Sequence, residues 1–152
     1  MGGLLLADNI FKNGELLKAI GILNRCYKRD LKARLQPLGL NEGNFFLLTT
    51  VAESPGITQD QLGKATDLEH STIARMIRRM VVRGQIERHQ DKTDRRIQRL
   101  YVSNDAKALI PTINHEVRHE TDSLTSQLTV DEQKQLFSLI NRAIDGVKKK
   151  GE

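Results

Sequence analysis

The segment HSTIARMIRRMVVRG, residues 70–84, constrains the fold more than any other stretch of the chain. Ile73, Met76, Ile77 and Met80 recur three and four apart and share one side of a helix, whereas Ser71, Thr72, Arg75, Arg78, Arg79 and Arg83 fall largely on the other. Gly84 stands where a left-handed residue would end that helix. One side must therefore be buried by neighbouring elements while the other presents cations to the outside. The charge count sharpens this. The 152-residue chain carries a formal net charge of +5, and all of it lies between Glu69 and Arg99, where nine Lys or Arg stand against four acids; the remainder has 15 of each. No acid lies between Glu69 and Glu87, so like charges crowd one helix face at a cost that a row of phosphates would relieve.

The flanking segments say what buries the apolar side. Upstream, Thr58 and Gln61 have the spacing of a capping box, in which each side chain satisfies the other residue's free N–H, and TQDQLGKA reads as a helix of about two turns. The TDLE turn joins it to the cationic helix. Downstream, QIERHQ and IQRLYVS have strand character and flank DKTD, a cluster of turn formers, which predicts a hairpin with a loop longer than two residues. Residues 10–36 form a long predicted helix, with Leu16, Leu17, Ile20, Leu23, Tyr27, Leu31 and Leu35 along one stripe. Pro37 and Gly39 end it, and Asn41 can cap EGNFFLLTTVAE, whose dense apolar content predicts burial on most sides before the SPG turn. Two further helices are expected: residues 104–128, with Leu109, Ile110, Ile113, Val117, Thr121, Leu124 and Leu128 in register, and a last one opened by a second capping box, Thr129 with Glu132. KKKGE is expected to be a frayed tail, and the opening MGGLLLADNI is given no role.

A short helix, a tight turn, a cationic helix and a basic hairpin follow one another in the order of a winged helix-turn-helix. A helix fits the major groove of B-form DNA, and a hairpin beside it can reach phosphates or the minor groove. The segment ITQDQLGKATDLEHSTIARMIRRMVVRGQIERHQDKTDRRIQRLYVS resembles the DNA-binding core of the MarR family of bacterial transcriptional regulators, matching S-T-x-x-R, the strand after Gly84 and D-x-x-D-R-R in order and at the right spacing.

The resemblance implies a mainly α fold with a small β-hairpin wing, a single domain over residues 1–152. Residues 10–36 and 104–148 would form the dimerisation helices and residues 41–102 the DNA-binding lobe. It implies a homodimer that regulates transcription, as a ligand- or stress-responsive repressor on pseudo-palindromic double-stranded DNA. Ser71, Thr72 and Arg75 would face the bases, with Arg79 one turn on and Arg78 beside them. At the wing tip Asp94 would hold the fork of Arg96 for the minor groove, with Arg95 on a phosphate; Asp91 and Lys92 are expected to be merely solvated. Ala106 replaces a glycine usual in the family, and Ser103 is expected to cap the helix there. Two other readings stay open, a nonspecific nucleic-acid-organising protein and a winged-helix protein-interaction module.

The remaining chemistry is sparse. No catalytic set, no phosphate loop and no cofactor motif is present, so no enzyme and no cofactor is expected. A single cysteine, Cys26, and the lack of a long apolar run point to a cytoplasmic protein with no membrane partner. Cys26 is expected to be a buried helix cysteine, with redox sensing as the other reading. His115 and His119 stand four apart and could share a metal, with Glu42 and Glu116 the nearby carboxylates; two ligands do not make a site, and an exposed polar pair is the favoured reading. For an effector, the expected site is a crevice lined by Arg25, Phe45 and Phe46 at the junction of the first, second and fifth helices.

Overall fold

Glycine, proline and side-chain caps set most of the element boundaries. The computed structural model describes residues 14–41 and 43–148; residues 10–13 of the first predicted helix, Glu42, the opening MGGLLLADNI and residues 149–152 of the tail lie outside them. Helix α1, Glu15–Leu35, runs into a single 3-10 turn, Gln36–Leu38, made by Pro37 and closed by Gly39 in the left-handed conformation. The Asn41 side chain then accepts from the N–H groups of Gly43 and Asn44 at 3.0 and 2.8 Å, which caps α2, Asn44–Glu53. After a two-residue strand β1, Ile57–Thr58, come α3, Gln59–Thr66, and α4, His70–Val82. The wing is β2, Ile86–Gln90, and β3, Gln98–Val102; α5, Asn104–Leu124, and α6, Val130–Lys148, complete the described residues.

The fold is mainly helical with one small antiparallel sheet of order β1-β3-β2. In β2 and β3, Ile86 pairs with Val102 and Gln90 with Gln98. The β1 strand pairs Ile57 with Leu100 and Thr58 with Arg99. It corrects the sequence reading, which passed from the SPG turn directly to the capping box. Two residues carry no periodicity, and the strand exists only because β3 comes back beside it.

The chain divides into two units, one up to Val117 and one from Arg118. The core of the first gathers Leu31 and Leu35 of α1, Phe45, Leu47, Leu48 and Val51 of α2, Leu62, Ile73, Ile77 and Met80 of the helix pair, Ile86, Leu100 and Val102 of the sheet, and Ala106 and Ile113 of α5. Each fully buried side chain of this size contributes about 1.5–3 kcal/mol, so this lobe folds around its own apolar content. Arg34 of α1 and Glu116 of α5 add a partly exposed ion pair at 3.2 Å. Pro111 lies inside α5 and cannot supply its amide hydrogen to the helix. Ser103 caps this helix as expected, accepting from Ala106 N–H at 3.2 Å, so the missing glycine leaves the helix start intact.

The second unit is different. The expected Thr129–Glu132 capping box is formed, with Glu132 Oε2 accepting from Thr129 N–H at 2.7 Å and Thr129 Oγ1 accepting from Glu132 N–H at 3.3 Å. Helix α5 ends at Leu124 rather than near 128: the next residues form a turn, in which Ser126 N–H donates to the Ser123 carbonyl at 3.3 Å and Leu128 N–H to the Thr125 carbonyl at 2.9 Å. Along α6 no residue is buried, and Phe137, Leu139, Ile140, Ile144 and Val147 are all exposed.

Candidate nucleic-acid interface

The helix-turn-helix is held by one capping box and one apolar stripe. Thr58 N–H donates to Gln61 Oε1 at 3.0 Å and Gln61 N–H to Thr58 Oγ1 at 3.2 Å, fixing the start of α3 as its spacing predicts. Asp67 ends α3 with a positive φ of 55°, and Leu68 N–H bonds back to the Gly63 carbonyl at 3.3 Å. A contact of 3.3 Å between Gln59 Nε2 and His70 Nε2 links the starts of α3 and α4. Ile73, Ile77 and Met80 are fully buried against Leu62, which sets the rotation of α4 about its own axis. That rotation decides the opposite face: Ser71, Arg75, Arg78 and Arg79 are exposed, and Thr72 is half-buried at the edge of the stripe. Among the described residues no acid pairs with the three arginines. Arg83 is turned away from them, donating to the Gly39 carbonyl at 3.4 Å.

The wing departs from its expected wiring. Asp94 does not hold the guanidinium of Arg96; its Oδ1 accepts from the Arg96 backbone N–H at 2.9 Å, so it shapes the turn rather than the fork. The guanidiniums of Arg95 and Arg96 are exposed and unpaired among the described residues, as is the ammonium of Lys92. Asp91 is the larger correction. It is buried, at 9 % exposure, where solvation was expected. Its Oδ1 accepts from Thr93 Oγ1 at 2.6 Å, Thr93 N–H at 2.8 Å and Asp94 N–H at 3.0 Å, while Oδ2 accepts from Arg99 Nε. The Thr93 hydroxyl, the two N–H groups and Arg99 hold its carboxyl well below the usual carboxylate range. D-x-T is a recognisable turn signature, but nothing in it foretells a partner eight residues further on.

The effector crevice is also redrawn. Phe45 packs into the core at 6 % exposure and Arg25 is exposed on α1, and neither borders the cavity found at this junction. Phe46, one helical step away, does. It borders a cavity of about 580 Å³ with Tyr27 and Lys28 of α1, Thr50 of α2, Leu68 of the turn and Met76 of α4. Cys26 is half-buried rather than buried. His115 and His119 are exposed, Glu116 is engaged by Arg34, and Glu42 lies outside the described residues. No cluster of three or more possible metal ligands occurs among the described residues. Nor is any described helix long and apolar enough to cross a membrane.

A buried helix pair that projects an unpaired cationic face, followed by a three-stranded sheet whose hairpin carries further free cations, defines a winged helix-turn-helix. The model of the MarR family matches residues 40–98 of the chain. The chain is similar to an HTH-type transcriptional regulator, YybA, of Bacillus subtilis, with 25% identity over 138 residues that span 91% of this chain and 92% of that one. Among solved structures it is similar to the transcriptional regulator SlyA, at 27% identity and a TM-score of 0.83 over 89% of this chain and 95% of that one. A mutant MarR from E. coli complexed with operator DNA shares the fold, at 24% identity and a TM-score of 0.80 over 88% of this chain and 96% of that one.

Proposed function

We propose that this protein is a sequence-specific, double-stranded-DNA-binding regulator of transcription that acts as a homodimer, a repressor released by a small ligand. The observation that carries the reading is the exposed face of α4, where Ser71, Arg75, Arg78 and Arg79 stand together with no acid to neutralise them. Such a face is unfavourable in isolation and matches the major groove, with Arg suited to guanine and Ser to either base or phosphate. Arg95 and Arg96 at the wing supply the phosphate and minor-groove contacts.

Residues 41–102 act as the DNA-binding lobe of a single regulatory domain, and residues 10–36 and 104–148 as its dimerisation helices. Leu16, Leu17, Ile20, Ile22 and Leu23 of α1 are exposed, as is the apolar stripe of α6, and faces of this kind call for a partner; a second copy is the simplest one. The cavity bounded by Phe46 and Met76 takes the effector. Met76 belongs to α4 itself, so an occupant there bears directly on the helix that reads the bases. A regulator of this kind works where the DNA is, in the cytoplasm, and needs no cofactor or catalytic group.

Fluorescence anisotropy with the DNA upstream of its own gene tests the reading against random duplex at physiological salt. Preference for the upstream DNA by a factor of about 10³ or more is expected of a specific regulator. Equal, steeply salt-dependent binding of both would make it a nonspecific nucleic-acid-organising protein, and no binding of either would leave the protein-interaction module.

A further inference from the structure

We infer that Asp91 and Arg99 are positioning residues that aim the wing, and that neither touches DNA; this rests on the DNA-binding reading above. Arg99 has the composition of a DNA contact, a cation in the most basic segment of the chain, but its guanidinium is already committed. Its Nε donates to Asp91 Oδ2, and its Nη1 donates to the Gly56 carbonyl at 2.9 Å. The two acceptors lie on either side of β3. Asp91 opens the wing turn, where its other oxygen gathers Thr93 and Asp94, and Asp94 in turn accepts from the Arg96 N–H. Gly56 returns a bond from its own N–H to the Leu100 carbonyl at 2.9 Å and stands two residues before Thr58, the cap of α3.

One arginine thus connects the turn that carries Arg96 to the start of the helix-turn-helix. The fork geometry is what makes this possible, since a planar guanidinium can satisfy two acceptors at fixed separation and an ammonium cannot do so in the same plane. Gly56 is constrained as well. Its φ is +85°, and a Cβ there would stand 3.0 Å from Tyr101 Oη, so the carbonyl that receives Arg99 is held by a residue that only glycine fills without strain. The consequence is that the separation between Arg96 and the α4 face is fixed before DNA arrives, which spares the wing an ordering cost on binding.

The clamp makes a prediction opposite in sign to simple charge counting. Asp91→Asn is nearly isosteric and keeps an oxygen for Thr93 and Asp94, but it turns an amide donor toward the Arg99 donor. It also raises the net charge by one and frees Arg99, and on counterion grounds alone it should tighten DNA binding. The positioning account requires the reverse: D91N should weaken operator binding by about tenfold, and Arg99→Lys, with charge unchanged, by a similar factor.

The loss should run through Arg96. Arg96→Ala should cost about tenfold in the native background but under about twofold in D91N, whereas Arg75→Ala should cost the same in both. Hydrogen exchange of the free protein adds a readout without DNA, and in D91N the Asp94 and Ile97 amides should exchange faster while those of α4 do not. D91N binding as tightly as the native protein or more so, with unchanged wing exchange, overturns the clamp. If D91N does not fold, R99K decides in the same way. A native protein with no operator preference defeats the functional reading and this inference together; native preference with unaffected variants defeats the clamp alone.

Discussion

Helices α4 and α6 are both amphipathic, yet they end in opposite states. The stripe of α4, Ile73, Ile77 and Met80, is fully buried, whereas along α6 Phe137 is 71% and Val147 73% exposed and no residue is buried. Hydrophobic patterning alone does not distinguish the two. What differs is what the chain supplies nearby: α4 packs on α3 and β2, so its stripe is covered from within and its polar face is left exposed. In α6 the apolar stripe is itself the unmet surface. On the function proposed above, the first face reads DNA and the second meets a copy of itself.

Substitutions at the two stripes separate these roles. Ile140→Glu should have the largest effect, since two-fold symmetry would bury two unpaired carboxylates; a loss on the order of 5 kcal/mol per dimer is expected, seen as monomer in sedimentation equilibrium. Monomer formation with a lobe that still unfolds cooperatively is the expected combination, and an unchanged dimer would contradict the proposed interface. Ile77→Ala should act on the lobe instead, costing about 3 kcal/mol in denaturant unfolding through the cavity it leaves. Arg96→Ala should weaken operator binding by more than ~1 kcal/mol with dimerisation intact, since a minor-groove arginine is lost and no packing is. Thr58→Ala should lower stability by ~1 kcal/mol or less by removing one half of the α3 capping box.

Acid titration gives the smallest contrast. Asp91 in the lobe and Glu132 at the start of α6 both have lowered carboxyl pKa values, Glu132 through the N–H and hydroxyl of Thr129. A depressed folded-state pKa means the stabilisation is complete above the unfolded value, near 4, and is lost as pH falls through the lowered one. Stability from these groups should therefore be level from about pH 8 to 5 and decline only below about pH 4, with D91N flattening the lobe's share of that decline.

Much of this was legible in the sequence because it is local. Both capping boxes, the Ser103 cap, the Gly84 stop and the rotation of α4 follow from residues within one or two turns of each other. The parts that escaped depend on distant neighbours or on phase. In NFFLLTTV four apolar residues stand in an unbroken run, so periodicity could not say that Phe45 enters the core while Phe46 borders the cavity. The β1 strand is defined by its pairing with Leu100, and the Arg99 contact to Gly56 spans 43 residues. The unpaired arginines of α4 were legible because no acid lies between Glu69 and Glu87, but the Asp91 clamp required the sheet to be built first.

The central claim is that two copies of this lobe read two half-sites at a fixed distance. Anisotropy titration of the dimer against an operator chosen from random sequence, and against the same operator with about 5 bp inserted at its centre, tests this most directly, since half a helical turn puts the second half-site on the opposite side of the duplex. The account predicts that the intact operator is bound about 10³-fold or more above random DNA and that the insertion removes most of that preference. Equal affinity for the two spacings would contradict it.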